Sequence, residues 1–176
     1  MSYCQECGTK LIIKELENEG MIPFCPHCKE FRFPMFNIAV SMIVINEEKQ
    51  KILLIKQYGK DYFRLVAGYV NKEENLENAA VRELKEETGM SADRIRFNRS
   101  QYFEPSNTLM CNFTVFVKDD HEFNPNYEID SYAWFSFEDA RKNIDPNILA
   151  GKFLNAYLNE SERAVATVVA AALYYI

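Results

Sequence analysis

Short apolar runs and helical stripes alternate along this chain, and their spacing predicts its elements. Residues 10–16 and 21–24 read as two strands joined by a turn at Asn18-Glu19-Gly20. Apolar residues are nearly continuous over 38–45, which predicts a buried strand. A turn over 46–50 leads to a second strand over 51–57, and a third, short strand is expected at 64–67. Over 75–88 the stripe Leu76, Ala79, Ala80 and Leu84 recurs at helical spacing, and Gly89 is the residue best suited to a left-handed helix end. Strands are expected at 95–103, 109–117 and 131–135, and helices at 136–143 and 148–158. Asn159, with Glu162 three residues on, resembles a capping pair and predicts a separate last helix running to residue 176. This order is mixed rather than a regular strand–helix series, which points to an α+β fold.

Composition narrows the function classes. With 48% hydrophobic and 26% charged residues, the chain is neither disordered nor fibrous. Twenty Lys and Arg against 26 Asp and Glu give a formal charge of −6, which argues against sequence-blind nucleic-acid binding. An anionic substrate would therefore need a local cation, either a side chain or a metal. No basic region precedes an apolar stretch at the N-terminus, and the apolar run over 164–176 is too short to span a bilayer. A cytoplasmic chain with no membrane partner is expected. The final helix, rich in Ala and Val, reads as packing or as the contact of a homodimer.

The cysteines divide the chain into domains. Cys4, Cys7, Cys25 and Cys28 form C-x2-C, seventeen residues, C-x2-C, while Cys111 stands alone on an apolar strand as a buried thiol. Two residues between thiols let one turn present both sulfurs, and two such turns complete a tetrahedron around zinc. A unit of 1–34 is too small to fold on its own core, so the metal must supply its folding energy. Four thiolates leave no open position, so this Zn²⁺ should be structural. His27 lies inside the second turn and is read as solvated. Residues 35–176 form the second domain, entered through a linker over 31–34.

The second domain carries a concentrated run of acids. Glu83, Glu86 and Glu87 stand at i, i+3 and i+4, within roughly one 100° sector of the predicted helix. Three like charges on one face repel, but they become favourable when they hold a divalent cation. Oxygen ligands without His or Cys suit Mg²⁺ or Mn²⁺, which bind through a few carboxylates, waters and substrate phosphates. Arg82 can pair with Glu86 or reach back to Glu74.

Residues 68–90, GYVNKEENLENAAVRELKEETGM, resemble the Nudix box G-x5-E-x7-R-E-U-x-E-E-x-G-U at every fixed position. Those positions are Gly68, Glu74, Arg82, Glu83, Leu84, Glu86, Glu87, Gly89 and Met90. The resemblance implies an α/β/α sandwich that hydrolyses a nucleoside diphosphate derivative. It implies that Glu83, Glu86 and Glu87 bind the catalytic metals, with the Gly68 carbonyl as a further ligand. It also implies that Glu74 and Arg82 hold the loop. The general base stays open between Glu83 and a carboxylate outside the box.

A zinc ribbon before such a domain is similar to the NADH pyrophosphatase branch of that family. Its S-Q-P-W-P-F-P-x-S-L-M stretch aligns with residues 100–110, where Ser100, Gln101, an aromatic and Leu109-Met110 match but the prolines and Trp do not. Glu128-Ile129 with Ala133-Trp134-Phe135 resembles E-I-x-x-A-x-W-F, which makes Glu128 the implied fourth carboxylate. Ile148-Leu149-Ala150 resembles a further substrate segment. Gln101, Phe103 and Ala150 are thus the implied substrate-binding residues, whereas Trp134 and Phe135 read as core. The implied substrate is a small nucleotide: NADH, NAD⁺ or ADP-ribose. A nucleotide sensor and an enzyme removing NAD caps from RNA are the rival readings. The ribbon mixes Lys10, Lys14, Lys29 and Arg32 with five Glu, so nucleic acid is not the expected partner. No residue outside the box stands out as a basic clamp, so triphosphates should be poor substrates.

Overall fold

The structure is a computed structural model that describes residues 3–118 and 123–173. It divides into two compact units, Met1–Phe36 and Asn37–Ile176.

The first unit is a three-stranded antiparallel sheet, β1 (Ile12–Leu16), β2 (Gly20–Cys25) and β3 (Glu30–Phe31), in that spatial order. The hairpin closes at Asn18 and Gly20, both at positive φ. The strand β3 occupies the start of the expected linker. Its Phe31 pairs with Phe24 and packs edge-on against that ring at 5.0 Å, while Lys14 Nζ sits 4.5 Å from the Phe24 centroid. A tiny unit thus gains aromatic packing on one side of its sheet.

The second unit is built on β4 (Asn37–Asn46), β5 (Lys51–Gln57), β6 (Val66–Tyr69), β7 (Arg94–Phe103), β8 (Thr108–Val117) and β9 (Ile129–Ser136). The order is β7-β8-β4-β5-β9, with β6 also paired to β4. The pairing of β4 with β8 is parallel; the other pairings are antiparallel. The helices are α1 (Leu76–Thr88), α2 (Phe137–Asn143) and α3 (Leu149–Leu173).

Period-two alternation explains the near-continuous apolar runs. Val40, Met42 and Val44 of β4 and Leu53 and Ile55 of β5 pack with Ala79, Ala80 and Leu84 of α1. Ile43, Ile45, Ile52 and Leu54 point the other way, toward Ala140 of α2 and Phe153, Leu154, Tyr157 and Leu158 of α3. This is the expected α/β/α sandwich. On the α3 side, β4 begins with the small residues Ala39 and Ser41, and these line open space rather than core.

Two expectations are corrected. The short strand lies at Val66–Tyr69, not 64–67, because its partner register on β4 runs Ala39↔Tyr69 to Met42↔Val66. Arg64 instead bridges Ile55 of β5. No new helix starts at Asn159. The helix α3 runs through it, and both supposed capping residues turn outward to Arg141 of α2, at 2.7 Å from Asn159 Oδ1 and 2.7 Å from Glu162 Oε1. The buried stripe Phe153, Leu154, Tyr157 and Leu158 outweighs a local capping preference. Residues 174–176 of the expected last helix lie outside the described residues. None of the helices is long and apolar enough to cross a membrane, among the described residues.

Gly151 fixes how α3 begins. A Cβ there would lie 1.9 Å from the Asp145 carbonyl oxygen, which is backbone and cannot swing aside. Gly151→Ala should therefore displace the 145–151 segment. We expect a loss of about 2 kcal/mol, or ~4–8 °C in the melting temperature of this unit, read by calorimetry. An unchanged melting temperature would show that the segment yields freely.

Candidate active site

The helix α1 starts where its sequence says it should. Asn75 Oδ1 accepts from the Asn78 N–H at 2.8 Å, and Gly89 ends the helix at φ 73. Before it, the loop over 70–75 is clamped by one side chain. Arg82 donates from Nε and Nη2 to the two oxygens of Glu74, both at 2.8 Å, and from Nη2 to the Tyr69 carbonyl at 3.0 Å. Its Nη1 reaches Glu83 at 2.7 Å and Glu86 at 3.0 Å. The guanidinium holds the Glu74 carboxyl down at about 2. Both pairings weighed for Arg82 therefore form at once.

The acids of the helix part company in depth. Glu87 is buried, at 3% exposure, and accepts from Gln57 Nε2 at 2.9 Å. Glu83 is shielded, whereas the Glu86 side chain is 57% exposed beside Arg82. Glu83 packs directly against Gly68: a Cβ on that glycine would meet the Glu83 carboxyl carbon at 1.9 Å. Glu128 arrives from a distant segment. Asn124 and Asn126 donate their N–H groups to the Thr88 and Glu87 carbonyls, at 2.8 and 2.9 Å, satisfying the open end of α1. Asn126 Oδ1 then accepts from the Glu128 N–H at 2.9 Å, and Tyr58 Oη donates to Glu128 Oε2 at 3.0 Å. Gly68, Glu83, Glu87 and Glu128 consequently line one cavity of ≈ 500 Å³. Glu86 is not part of that wall.

Crowding leaves its mark on Glu87. Burial pushes its carboxyl up to about 8, and the charges of Glu83 and Glu128 add to the rise. The Gln57 hydrogen bond and the charge of Arg64 oppose it. Among the described residues, three or more of these oxygens do not come within 4.8 Å of one another. Arg82 draws Glu83 and Glu86 aside. An all-oxygen donor set whose buried member is held back by like charge is suited to a hard divalent cation.

A second cavity, of ≈ 450 Å³, adjoins the first and holds Gln101, Phe103 and Ala150 on its wall, the three residues implied for substrate. It lies on the α3 side, closed by Leu149 and Phe153 and floored by Ser41 and Leu65. Two cations that the sequence reading missed, Arg64 and Lys152, stand on it. The expectation is that no residue outside the box offers an obvious basic clamp for a third phosphate, and these two are the cations on this wall. Gln57, Tyr58 and Asn126 were missed as well. Trp134 and Phe135 pack against the two cores, as expected of core residues.

The cysteine sulfurs gather in the first unit. All four Sγ atoms lie within 4.8 Å of one another, with Cys4–Cys28 at 3.9 Å and Cys7–Cys25 at 3.5 Å. A tetrahedron with metal–sulfur bonds of ~2.3 Å has edges of about 3.8 Å, so this set could hold a metal. Arg32 Nε donates to Cys4 Sγ at 3.4 Å and brings that thiol down to about 6. Cys111 is buried on β8 of the second unit.

Comparison with known proteins places this geometry. The NUDIX domain model matches residues 35–155. The chain is 29% identical over 167 residues to the NAD-capped RNA hydrolase NudC of Vibrio vulnificus, covering 92% of this chain and 59% of that protein. It is 30% identical over 149 residues to Nudix hydrolase 19, chloroplastic, of Arabidopsis thaliana, covering 80% of this chain and 33% of that protein. The chain therefore spans little more than half the length of one relative and a third of the other. A Nudix hydrolase structure from Nitrosomonas europaea superposes with a TM-score of 0.63 at 23% identity, covering 93% of each chain, which supports the fold. The box over residues 68–90, the sandwich that carries it and the domain match together make this chain a member of the NUDIX family.

Proposed function

We propose that this protein is a divalent-metal-dependent Nudix hydrolase that cleaves the diphosphate of a nucleoside diphosphate derivative such as NADH, NAD⁺ or ADP-ribose. The observation that carries it is the adjacency of two cavities, one walled by Glu83, Glu87, Glu128 and Gly68 and the other by Gln101, Phe103 and Ala150. A flat base can stack on Phe103 and hydrogen-bond Gln101, leaving its diphosphate directed toward the carboxylates. Glu83, Glu87, Glu128 and the Gly68 carbonyl would hold Mg²⁺ or Mn²⁺, with Glu86 as the exposed box carboxylate beside them. Bound there, the cation would neutralise the phosphates and supply an activated water. One water–phosphorus bond forms and the bridging phosphorus–oxygen bond breaks, giving two phosphate monoester dianions and two protons. Gln57 and Tyr58 orient Glu87 and Glu128, and Arg82 with Glu74 fixes the loop that follows β6 and its Gly68.

Removal of NAD caps from RNA is a second reading, favoured by the name of the Vibrio vulnificus relative. It uses the same diphosphate chemistry with a longer leaving group. For the first unit we propose a structural Zn²⁺ held by Cys4, Cys7, Cys25 and Cys28, in a ribbon covering residues 1–34 before a hydrolase domain of 35–176. The proposed setting is the cytoplasm, and the proposed assembly is a homodimer.

Three measurements test these readings. Glu87→Gln keeps the shape but removes a negative ligand, so turnover should fall at least ~100-fold, while Glu74→Gln should cost less. Wild-type turnover of Glu87→Gln at saturating Mg²⁺ would contradict the assignment. Elemental analysis should find about one zinc per chain, and Cys25→Ser should lose it while the second unit keeps its own melting transition. Steady-state kinetics on NADH, NAD⁺ and ADP-ribose should give specificity constants within about tenfold, since the Pro-rich track that would preorganise the site is missing. A strong preference for a nucleoside triphosphate would overturn the substrate class.

A further inference from the structure

The two cavities share four wall residues, Arg64, Leu65, Ala67 and Met110, and only Arg64 is charged. Its place is set by the sheet. The Arg64 and Ile55 backbones exchange hydrogen bonds of 2.8 and 3.0 Å, which anchors the residue beside β5 just before β6. Its guanidinium carbon lies 4.9 Å from the Tyr62 ring centroid, and Nη2 donates to Tyr62 Oη at 2.8 Å. That is the single side-chain hydrogen bond of a group with five donors, among the described residues. The Nε atom is buried with no partner.

Arg32, Arg82, Arg94, Arg99 and Arg141 each pair with a carboxylate, whereas Arg64 does not, and unlike Arg96, which also lacks such a pair, it stands on both cavities, among the described residues. A buried, unpartnered donor on a charged group is costly, so its retention asks for a partner that arrives from outside. None of the three cavity acids pairs with Arg64 at rest, among the described residues. Glu87 is committed to Gln57, Glu83 to Arg82 and Glu128 to Tyr58. A guanidinium fork with an unpartnered donor, held beside a ring, is shaped for an oxyanion with two adjacent oxygens.

We infer that Arg64 is the diphosphate-binding residue of this site, holding the phosphate next to the stacked nucleoside while the following phosphorus meets the carboxylate cavity. The inference rests on the proposed use of these cavities by a nucleoside diphosphate derivative. It deepens that reading by giving the substrate a fixed register. With the base on Phe103 and its own phosphate on Arg64, the phosphate attacked is the one farther from that base. A nucleoside monophosphate keeps the Arg64 contact and should compete as a product, whereas the nucleoside alone should not gain from it. Tyr62 holds the fork in place through its ring and is a positioning residue.

The test compares the full chain with Arg64→Gln, Arg64→Lys and Tyr62→Phe. For ADP-ribose hydrolysis, Arg64→Gln should raise KM at least ~10-fold with a smaller change in kcat, and Arg64→Lys should recover part of the loss. In calorimetric titrations the parent should bind AMP at least ~10-fold more tightly than adenosine. Arg64→Gln should lose that preference and keep its affinity for adenosine. Tyr62→Phe keeps the ring but removes the hydroxyl that accepts from Nη2, so it should raise the KM for ADP-ribose in the same direction as Arg64→Gln and by less. Equal weakening of AMP and adenosine would show that Arg64 only shapes the cavity, and an unchanged KM with an unchanged AMP preference would remove it from the site; either overturns the inference. A parent that cleaves no diphosphate would overturn the proposed reaction instead, and the inference about Arg64 would then be decided by the AMP and adenosine affinities.

Discussion

Arg82 is the side chain on which the site is hung. It bonds both oxygens of Glu74, one oxygen each of Glu83 and Glu86, and the Tyr69 carbonyl. A helix with three acids on one face would repel itself, and a loop over 70–75 with no secondary structure would wander. One guanidinium answers both problems, because its fork spans the helix and the loop at once. Gly68 depends on that arrangement. It lies on β6 just before that loop, next to Tyr69, whose carbonyl accepts from Arg82, and Glu83 packs where its side chain would be. The Glu86 pair is exposed and contributes little to stability, and what the network supplies here is position.

The sheet sets the distances that Arg82 cannot. With β4 covered on both faces, its register against β6 and β8 is pinned, since a slip of one residue would turn Ile43 and Ile45 to the wrong layer. The strand β7 carries an irregularity between Phe97 and Arg99. Asn98 there exchanges hydrogen bonds with Asn112 at 2.9 Å and Thr114 at 3.0 Å, and Asn112 Nδ2 donates to the Ser41 carbonyl at 3.2 Å. A satisfied polar network at a bulge is rigid, and it lies three residues before Gln101 and five before Phe103. The cavity wall is thus aimed by groups that never touch it.

What could be read from the sequence was what is local. The box is legible because its residues meet through helical spacing and short turns, so Glu83, Glu86 and Glu87 fall on one side from arithmetic alone. The two cysteine knuckles are legible for the same reason. Arg64, Gln57 and Tyr58 were not, because they approach α1 and Glu128 through sheet pairing across 20 to 70 residues, and no periodicity records that register. Glu128 was reached by resemblance, not by pattern; its physical reason is the pair of Asn N–H groups that cap the end of α1. Asn159 and Glu162 failed in the opposite way. Their local signal was sound, but Arg141 of α2 claimed both side chains and the apolar face of α3 continued through them.

The charge of the chain frames the final step. A protein of net charge −6 with three acids in one cavity repels an anionic substrate unless cations stand at the points of contact. Glu87 states the cost directly. Its folded value near 8 lies above the ordinary 4.5, so its contribution to stability is full below about pH 4.5, declines as pH rises, and is gone above about 8. A divalent cation beside Glu83, Glu87 and Glu128 would reverse that sign, because it favours the ionised form that burial and like charge disfavour. Arg64 acts on the same balance from the other cavity, where its charge already opposes the rise in Glu87. Substrate and metal should accordingly assist each other. The cation offsets the three acids that would repel the phosphates, and Arg64 stands where the two pockets meet.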